Sequence, residues 1–485
     1  MLKHSSNRME LFNNRAQHYY NKWFSVLAAC YYLVFLWCFI ELRFFGSVYQ
    51  SVLFRVVIAF MVISYYVFYQ FQGGQEIHIL TMYCLWAAIT CVIHGTILEY
   101  WESMLELLLM FVWFAPGILL YGKERDRYYN KLAWVTVLFF AALGMICVYT
   151  AATRSLVINP LTGLGIGYHS PSEWRLSFMA LHPNSTSGLY LISFCLSLTL
   201  LFRTDRFICK VLVFFTACIE FIVIALTISR NAQTFACVAL GLMVSILVSR
   251  KLEIRKSNIV STAIFFLIVA VVVLLSYRLY EPIRKELWTV YERQQITTSD
   301  VQESMTGYKT NRYELKLLSD TSKQEESAAE FKEDTRDYLK SGRKEIYWSA
   351  WKSLQMEPSR LLYGAPIPNV MDISNSLIKE QATNFHNCFL QVVNEFGLPG
   401  LFLVLTFFFL VIKNGIFVIA NRDQQFSIKE QMLILPVIAM MGYNMLEAES
   451  FCGSDFRADF FFFACGMLTG VFREKTYLQH DNTMK

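Results

Sequence analysis

Apolar residues along this chain gather into blocks of about 20, the length a helix needs to cross a hydrocarbon core of roughly 30 Å. Twelve such blocks can be marked, at residues 23–44, 48–70, 77–98, 101–121, 131–152, 182–202, 207–228, 231–249, 259–280, 388–412, 430–450 and 456–472. Block length therefore says more than helical periodicity. The pattern predicts an all-α integral membrane protein of about twelve transmembrane helices. The first block lies too deep, and lacks the small-residue cleavage pattern, to be a removable signal peptide, so it reads as a permanent anchor.

The connectors between blocks set the expected orientation, because cytoplasmic loops retain Lys and Arg. Basic clusters fall on alternate connectors: Lys3, Arg8, Arg15 and Lys22; Lys123, Arg125, Arg127 and Lys131; Arg203, Arg206 and Lys210; Arg250, Lys251, Arg255 and Lys256; Lys413, Arg422 and Lys429; Arg473 and Lys475. Both termini are then cytoplasmic, which an even number of spans requires. The chain divides into a cytoplasmic N-terminus at 1–22, nine spans over 23–280, a mostly helical extracytoplasmic loop domain at 281–387, three spans over 388–472 and a cytoplasmic C-terminus at 473–485. Every predicted cytoplasmic loop is short, whereas residues 153–181 and 281–387 form two long loops on the other side. Any chemistry is expected to face outward.

Composition agrees: 55% of the 485 residues are hydrophobic and 17% charged, which excludes an ordinary water-soluble globule. The net charge of +5 follows from the retained loops and needs no nucleic-acid partner; membrane lipids are the expected surroundings. Ten of the twelve cysteines lie inside apolar blocks as small hydrophobes do, so no disulfide framework is implied, and only Cys388 and Cys452 stand at outer helix ends where they could pair.

Within the second long loop, residues 296–330 are polar and poor in apolar side chains, and no catalysis is sought there. Residues 331–356 instead mix aromatics and charges at helical spacing. Ser341 is a candidate N-cap for a helix carrying Arg343, Ile346, Tyr347, Ala350 and Leu354. A helix start beside an arginine can take an anion, because its first backbone N–H groups and the guanidinium point the same way; a solvated arginine after a cap is the plainer reading. Arg230, in LTISRNAQ, falls in a tight outer turn between the seventh and eighth blocks, where it either faces a cavity or snorkels to the headgroups.

Further outer-facing polar residues are Arg154, His169, Glu173 and Arg175, then His182 and Asn184 at the start of the sixth span, where HPNSTSG puts Pro183 in a first turn. Glu447, Glu449, Asp455 and Arg457 rim the gap between the last two spans. In TNFHNCFLQVVNEFGLPG, residues Asn384, Asn387, Gln391, Asn394 and Leu398 follow one helical stripe, with Glu395 beside it. Lipid cannot satisfy amides, so this stripe must turn toward protein or water, which sets His386 over a polar cavity mouth. GLPG at 397–400 is expected to kink the helix. No Walker loop, dinucleotide fingerprint, HExxH or paired-Asp nucleotide-sugar motif is present, and no inverted repeat of the transporter kind is visible.

Three of these stretches, LTISRNA, SGRKEIYWSAW followed by LLYG, and FHNCFLQVVNEFGLPG, resemble the later half of the bacterial O-antigen ligase and polymerase family over roughly residues 180–415. The third motif is the most specific. The insertion at 296–330 is longer than the family pattern, and LLYGAPIPN lacks its glycine pair. The resemblance implies that Arg230 and Arg343 bind a pyrophosphate and that His386 is catalytic, with His182, Asn184, Asn387, Gln391, Glu395 and Glu447 as further substrate-binding candidates. It implies as substrates an undecaprenyl-pyrophosphate-linked glycan and an acceptor glycan or lipid, with no cofactor and no metal. The place implied is the bacterial cytoplasmic membrane, with the active site facing outward. The residue types suit that chemistry. Guanidinium groups can receive the charge of a departing pyrophosphate, and imidazole is the side chain whose ordinary titration lies near neutrality, fit to take a hydroxyl proton. A chain-length regulator is a possible partner to which no residue here points. Two other readings fit a twelve-span chain: a lipid-linked oligosaccharide flippase, which would not need the arginine and histidine motifs, and a peptidoglycan polymerase, in which an outer carboxylate such as Glu447 or Glu449 would dominate.

Overall fold

The computed structural model describes residues 74–96, 107, 110–111, 113–153, 157–158, 165–168, 176–178, 183–251, 259–283, 343–365, 369–376, 385–420, 426–447 and 456–483. The helices within them are α1 (Gln75–Ile93), α2 (Gly122–Thr153), α3 (Pro183–Arg203), α4 (Phe207–Leu226), α5 (Arg230–Lys251), α6 (Ile259–Arg278), α7 (Arg343–Met356), α8 (Pro358–Tyr363), α9 (Asn369–Ser376), α10 (Cys388–Ala420), α11 (Ile428–Gln431), α12 (Ile434–Asn444) and α13 (Phe456–Thr483). Among the described residues, seven helices are long and apolar enough to cross a membrane. They correspond to the expected blocks starting at 77, 131, 182, 207, 231, 259 and 388. The blocks at 23–44 and 48–70, the loop segment 296–330, Ser341 and the residues 448–455 that hold Glu449, Cys452 and Asp455 lie outside the described residues. The expected blocks at 430–450 and 456–472 form α12 and α13, with 11 and 28 residues.

The helical reading needs one addition. Residues 157–178 carry a three-stranded antiparallel sheet in the order β1 (Val157–Ile158), β2 (Gly165–Tyr168) and β3 (Leu176–Phe178), paired Val157 to Ile166 and Ile166 to Phe178. Its strands are too short for alternation to stand out in the sequence. Ile166 and Leu176 are buried, and the sheet lies against α2 and α3 at the mouth of the bundle.

Helix α3 is the hub, packed on α2, α4, α5 and α12. It is buried nearly all round, which is why its sequence shows no polar stripe. Small residues let its neighbours approach without lipid between them. Deep in this packing Glu220 of α4 accepts hydrogen bonds from Ser193 and Ser197 of α3, the latter at 2.7 Å, so a carboxyl at membrane depth is held by two hydroxyls one turn apart.

The basic connectors gather at one end of the bundle. Arg203 pairs with Asp126 at 2.8 Å and lies over the Tyr129 ring, Arg125 pairs with Glu474 at 2.6 Å, and Arg250 donates to Gln431 at 2.9 Å. Glu76 at the start of α1 meets Arg473 and the Asn414 amide. Helix α3 runs from this end at Arg203 to Asn184, and α5 from Arg250 to Asn231, each about 30 Å at 1.5 Å per residue. Asn184 and Asn231 therefore stand at the end opposite the basic clusters.

GLPG kinks α10 as expected: Gly397 leaves helical geometry with φ +68, and Pro399 follows inside the helix. The carbonyls beside the kink find donors elsewhere. The Ala365 N–H bonds to the Asn394 carbonyl at 2.7 Å, and the Trp86 Nε1–H to that of Phe396 at 2.7 Å. Gly364, with φ +72 at the end of α8, lies so close that a Cβ would stand 2.3 Å from the Glu395 carbonyl carbon, and a Cβ at Gly397 would stand 2.2 Å from the Leu362 oxygen. Two glycines in left-handed geometry thus lock α8 onto the kink.

Candidate active site

Where α3, α5 and α10 begin, their first residues meet one carboxylate. Glu447, just past the end of α12, has a side chain only 2% exposed, against 27% for His386. Its Oε2 lies 2.9 Å from His386 Nδ1. Its Oε1 accepts from the Asn184 amide at 3.1 Å and from the Asn231 amide at 3.3 Å. A buried carboxylate costs several kcal/mol of desolvation unless its lone pairs are satisfied, about 1–3 kcal/mol for each unmet bond; here two amides and an imidazole satisfy it.

Local backbone geometry aims each partner. His386 has φ +48, one of two non-glycine residues with positive φ among the described residues; the other is Ile228, φ +54, in the turn that delivers Arg230 and Asn231. A β-branched residue is strained there, so the α4–α5 turn is held by its surroundings rather than by its own preference. Asn387 caps α10, its Oδ1 accepting from the Phe389 and Leu390 N–H groups at 3.0 Å, while its amide donates to the Met445 carbonyl at 2.8 Å. The same residue therefore starts α10 and ties it to the segment that carries Glu447. Tyr443 Oη donates to the Asn184 carbonyl at 2.7 Å, fixing the start of α3 against α12.

Arg230 is the first residue of α5 and the neighbour of Asn231, so its backbone stands at the edge of this cluster. Arg343 is the first residue of α7, and Tyr347, four residues on, donates from Oη to the His386 carbonyl at 3.2 Å. Of the face expected for α7, Ile346, Ala350 and Leu354 are buried and Tyr347 is half-buried, with Ser349 and Ser353 buried beside them. The chain starts of Arg230, Arg343 and His386, far apart in sequence, converge on one end of the bundle.

The remaining candidates divide. Asn184 and Glu447 are bonded to each other in the cluster. Gln391 and Glu395 are buried one turn apart and bonded to one another at 2.6 Å, with the Gln391 oxygen taking the Phe385 N–H at 3.1 Å. The amide stripe does face protein rather than lipid, and these two side chains brace the loop in front of His386. His182 lies outside the described residues. Cys388 is a free, buried thiol. Asn231 and Tyr443 do not stand out in the sequence, and Tyr347 does so only as part of the helical face of α7. Asn231 sits beside an arginine that draws attention first, and the tyrosines read as ordinary interfacial aromatics until their hydroxyl partners are seen.

Four helix N-termini, of α3, α5, α7 and α10, open at this cluster. Their dipoles contribute positive potential there, partly offset by Glu447, although Asn387 already takes the Phe389 and Leu390 N–H groups of α10. Among the described residues no group of three or more His, Cys, Asp and Glu could hold a metal ion.

The family model described as O-antigen ligase matches residues 212–405. Arg230, Asn231, Arg343 and His386 fall inside that match, whereas Asn184 and Glu447 reach the same cluster from outside it. No curated protein and no solved structure is significantly similar to the chain. The match agrees with the resemblance carried by LTISRNA, SGRKEIYWSAW and FHNCFLQVVNEFGLPG: residues 212–405 are similar to the O-antigen ligase family.

Proposed function

We propose that the chain is a glycosyltransferase that moves a glycan from an undecaprenyl-pyrophosphate carrier to an acceptor sugar hydroxyl, in surface polysaccharide polymerisation or ligation. The observation that carries this reading is the His386–Glu447 pair, held by Asn184 and Asn231 where α3, α5 and α10 begin. An outward-facing site on the cytoplasmic membrane is supported by the basic clusters at the far end of α3 and α5, since positive loops tend to be retained inside.

In this reading His386 is the general base. With Nδ1–H donated to Glu447, Nε2 is the proton acceptor, the arrangement that a buried carboxylate imposes on an imidazole. Nε2 takes the acceptor hydroxyl proton as that oxygen bonds to C1 of the donor sugar. The bond from C1 to the pyrophosphate oxygen breaks, and the electron pair leaves on the pyrophosphate. Arg230, Arg343 and the helix starts receive that charge, a kind of stabilisation worth about 3–4 kcal/mol per well-placed donor. Attack opposite the leaving group inverts the anomeric centre. Asn184 and Asn231 hold Glu447 and thereby the imidazole, while Asn387, Gln391 and Glu395 shape the entrance.

The peptidoglycan-polymerase reading would have a carboxylate as the base. Glu447 is buried and occupied by three partners, which favours the more exposed imidazole in that role. The deciding experiment is transfer by purified protein in lipid nanodiscs with a lipid-linked glycan as donor. His386→Ala should abolish transfer while melting temperature is retained, and full activity of that variant would remove His386 from the mechanism. Movement of the lipid-linked glycan across the bilayer without a new glycosidic bond would point to the flippase instead.

A further inference from the structure

Among the described residues, α7 and α8 expose a face rich in large apolar side chains, with Glu345, Lys352, Gln355 and Glu357 between them. In α7 the residues Ile346, Ser349, Ala350, Ser353 and Leu354 are buried, and the opposite face shows Trp348 at 51% and Trp351 at 55% exposure, followed by Met356 at 56%. Leu361 and Leu362 of α8 extend the face at 36% and 45%. Lys352 lies over the Trp348 ring at 5.9 Å. Two exposed tryptophans beside a lysine and leucines are unusual on a surface that meets water, yet they are the composition of a membrane–water boundary.

The depth of these helices can be read against the bundle. Glu76 of α1 and Asn414 of α10 are bonded at 2.8 Å and mark one level, at the basic end. Eighteen residues further along α1, His94 Nε2 meets the Tyr363 carbonyl at 3.3 Å, and Trp86 stacks on the Tyr363 ring at 5.9 Å. Seventeen residues back along α10, Gly397 is locked to α8. At 1.5 Å per residue both paths rise about 26 Å, close to the roughly 30 Å of a hydrocarbon core. The His94 and Gly397 contacts thus put α8 toward the far end of α1, with Trp86, about 15 Å along α1, reaching the Tyr363 ring from nearer the middle of the bundle, and α7 packs on α8 and α10.

We infer that α7 and α8 form an interfacial platform whose exposed face, Trp348, Trp351, Met356, Leu361 and Leu362, is seated in the lipid of the membrane leaflet on the side of the His386 cluster. Apolar side chains bury at acyl-chain level there while Lys352 stays among the headgroups, the partition that amphipathic interfacial helices adopt. This inference stands whether or not the chain transfers glycans. Its consequence for the proposed reaction is that Arg343, at the head of α7, is kept at headgroup depth, where the diphosphate of a lipid carrier lies.

The test is tryptophan fluorescence of the full-length protein in nanodiscs, with ordinary lipids or with lipids brominated on the acyl chain near the glycerol. The chain has ten tryptophans, so the difference between wild type and the Trp348→Phe/Trp351→Phe variant isolates the two rings. Phenylalanine retains the apolar face, and unchanged melting confirms folding. The difference emission should fall severalfold in brominated lipid, with or without some sensitivity to aqueous iodide. Emission untouched by brominated lipid overturns the inference: with iodide quenching the face meets water, and without it the face is covered by protein.

Discussion

His386 and Glu447 are joined side chain to side chain across 60 intervening residues, Nδ1 to Oε2 at 2.9 Å, with the carboxylate buried and the imidazole half-open. Asn184 and Asn231 both donate to the other carboxylate oxygen, so Glu447 is oriented before it orients the histidine. An amide at this position could still accept both asparagine N–H groups on its oxygen, but its NH2 would face His386 Nδ1 and hold the imidazole in the opposite tautomer, with the proton on Nε2.

Glu447→Gln should therefore lower the transfer rate by about 10²-fold, and Glu447→Ala by no less, because the imidazole loses its tautomer and its aim. KM for the donor should stay within a few-fold. Steady-state kinetics with a lipid-linked glycan check this; wild-type rates for both variants would leave the pair as structure only.

Arg230→Lys and Arg343→Lys keep charge but lose the planar fork. Each should cost about 10–100-fold in kcat/KM for the diphosphate donor if it binds the two phosphates bidentately, a loss of roughly 1.4–2.7 kcal/mol. Donor titrations of each variant, with circular dichroism to confirm folding, give the answer. Equal activity for lysine would reduce the contact to a point charge.

Asn387→Ala removes two cap bonds to α10 and the tether to Met445. The expected loss is about 1–2 kcal/mol of stability, seen as a lower melting temperature in detergent. Activity should fall more than stability, because His386 is the next residue. Asn387→Asp or Ser should recover the cap but not the tether, which separates the two contributions.

Gly364→Ala and Gly397→Ala each place a methyl within about 2.3 Å of backbone atoms at left-handed φ. Strain of about 1–3 kcal/mol plus the clash should loosen α8 from α10, measurable as faster limited proteolysis near residue 363. Unaltered proteolysis would mean that the two segments can part slightly without cost.

Product stereochemistry tests the reaction course separately. NMR of the new glycosidic linkage should show the anomeric configuration opposite to that of the donor, and transfer should persist in EDTA, since arginines and helix N-termini supply the positive charge. Retention of configuration rules out single displacement.

Much of this was legible in the chain itself. Apolar block length set where membrane helices form, because no other arrangement satisfies backbone hydrogen bonds in hydrocarbon. The spacing in SGRKEIYWSAW gave the buried stripe of α7, and GLPG gave the kink, since proline and a left-handed glycine act on the backbone locally. Arg230, Arg343 and His386 stood out as polar groups at helix starts. The sequence could not show that Glu447, rather than its neighbours, receives His386, or that Asn184 and Asn231 close the same carboxylate. Nor could it show that Gln391 and Glu395 are bonded to each other, or that α8 lies at the kink. Those relationships join residues from several helices, and they depend on how the helices pack and rotate. Packing is a property of the whole bundle, settled by side chains hundreds of residues apart, whereas helix formation and kinking are settled by neighbours within a turn.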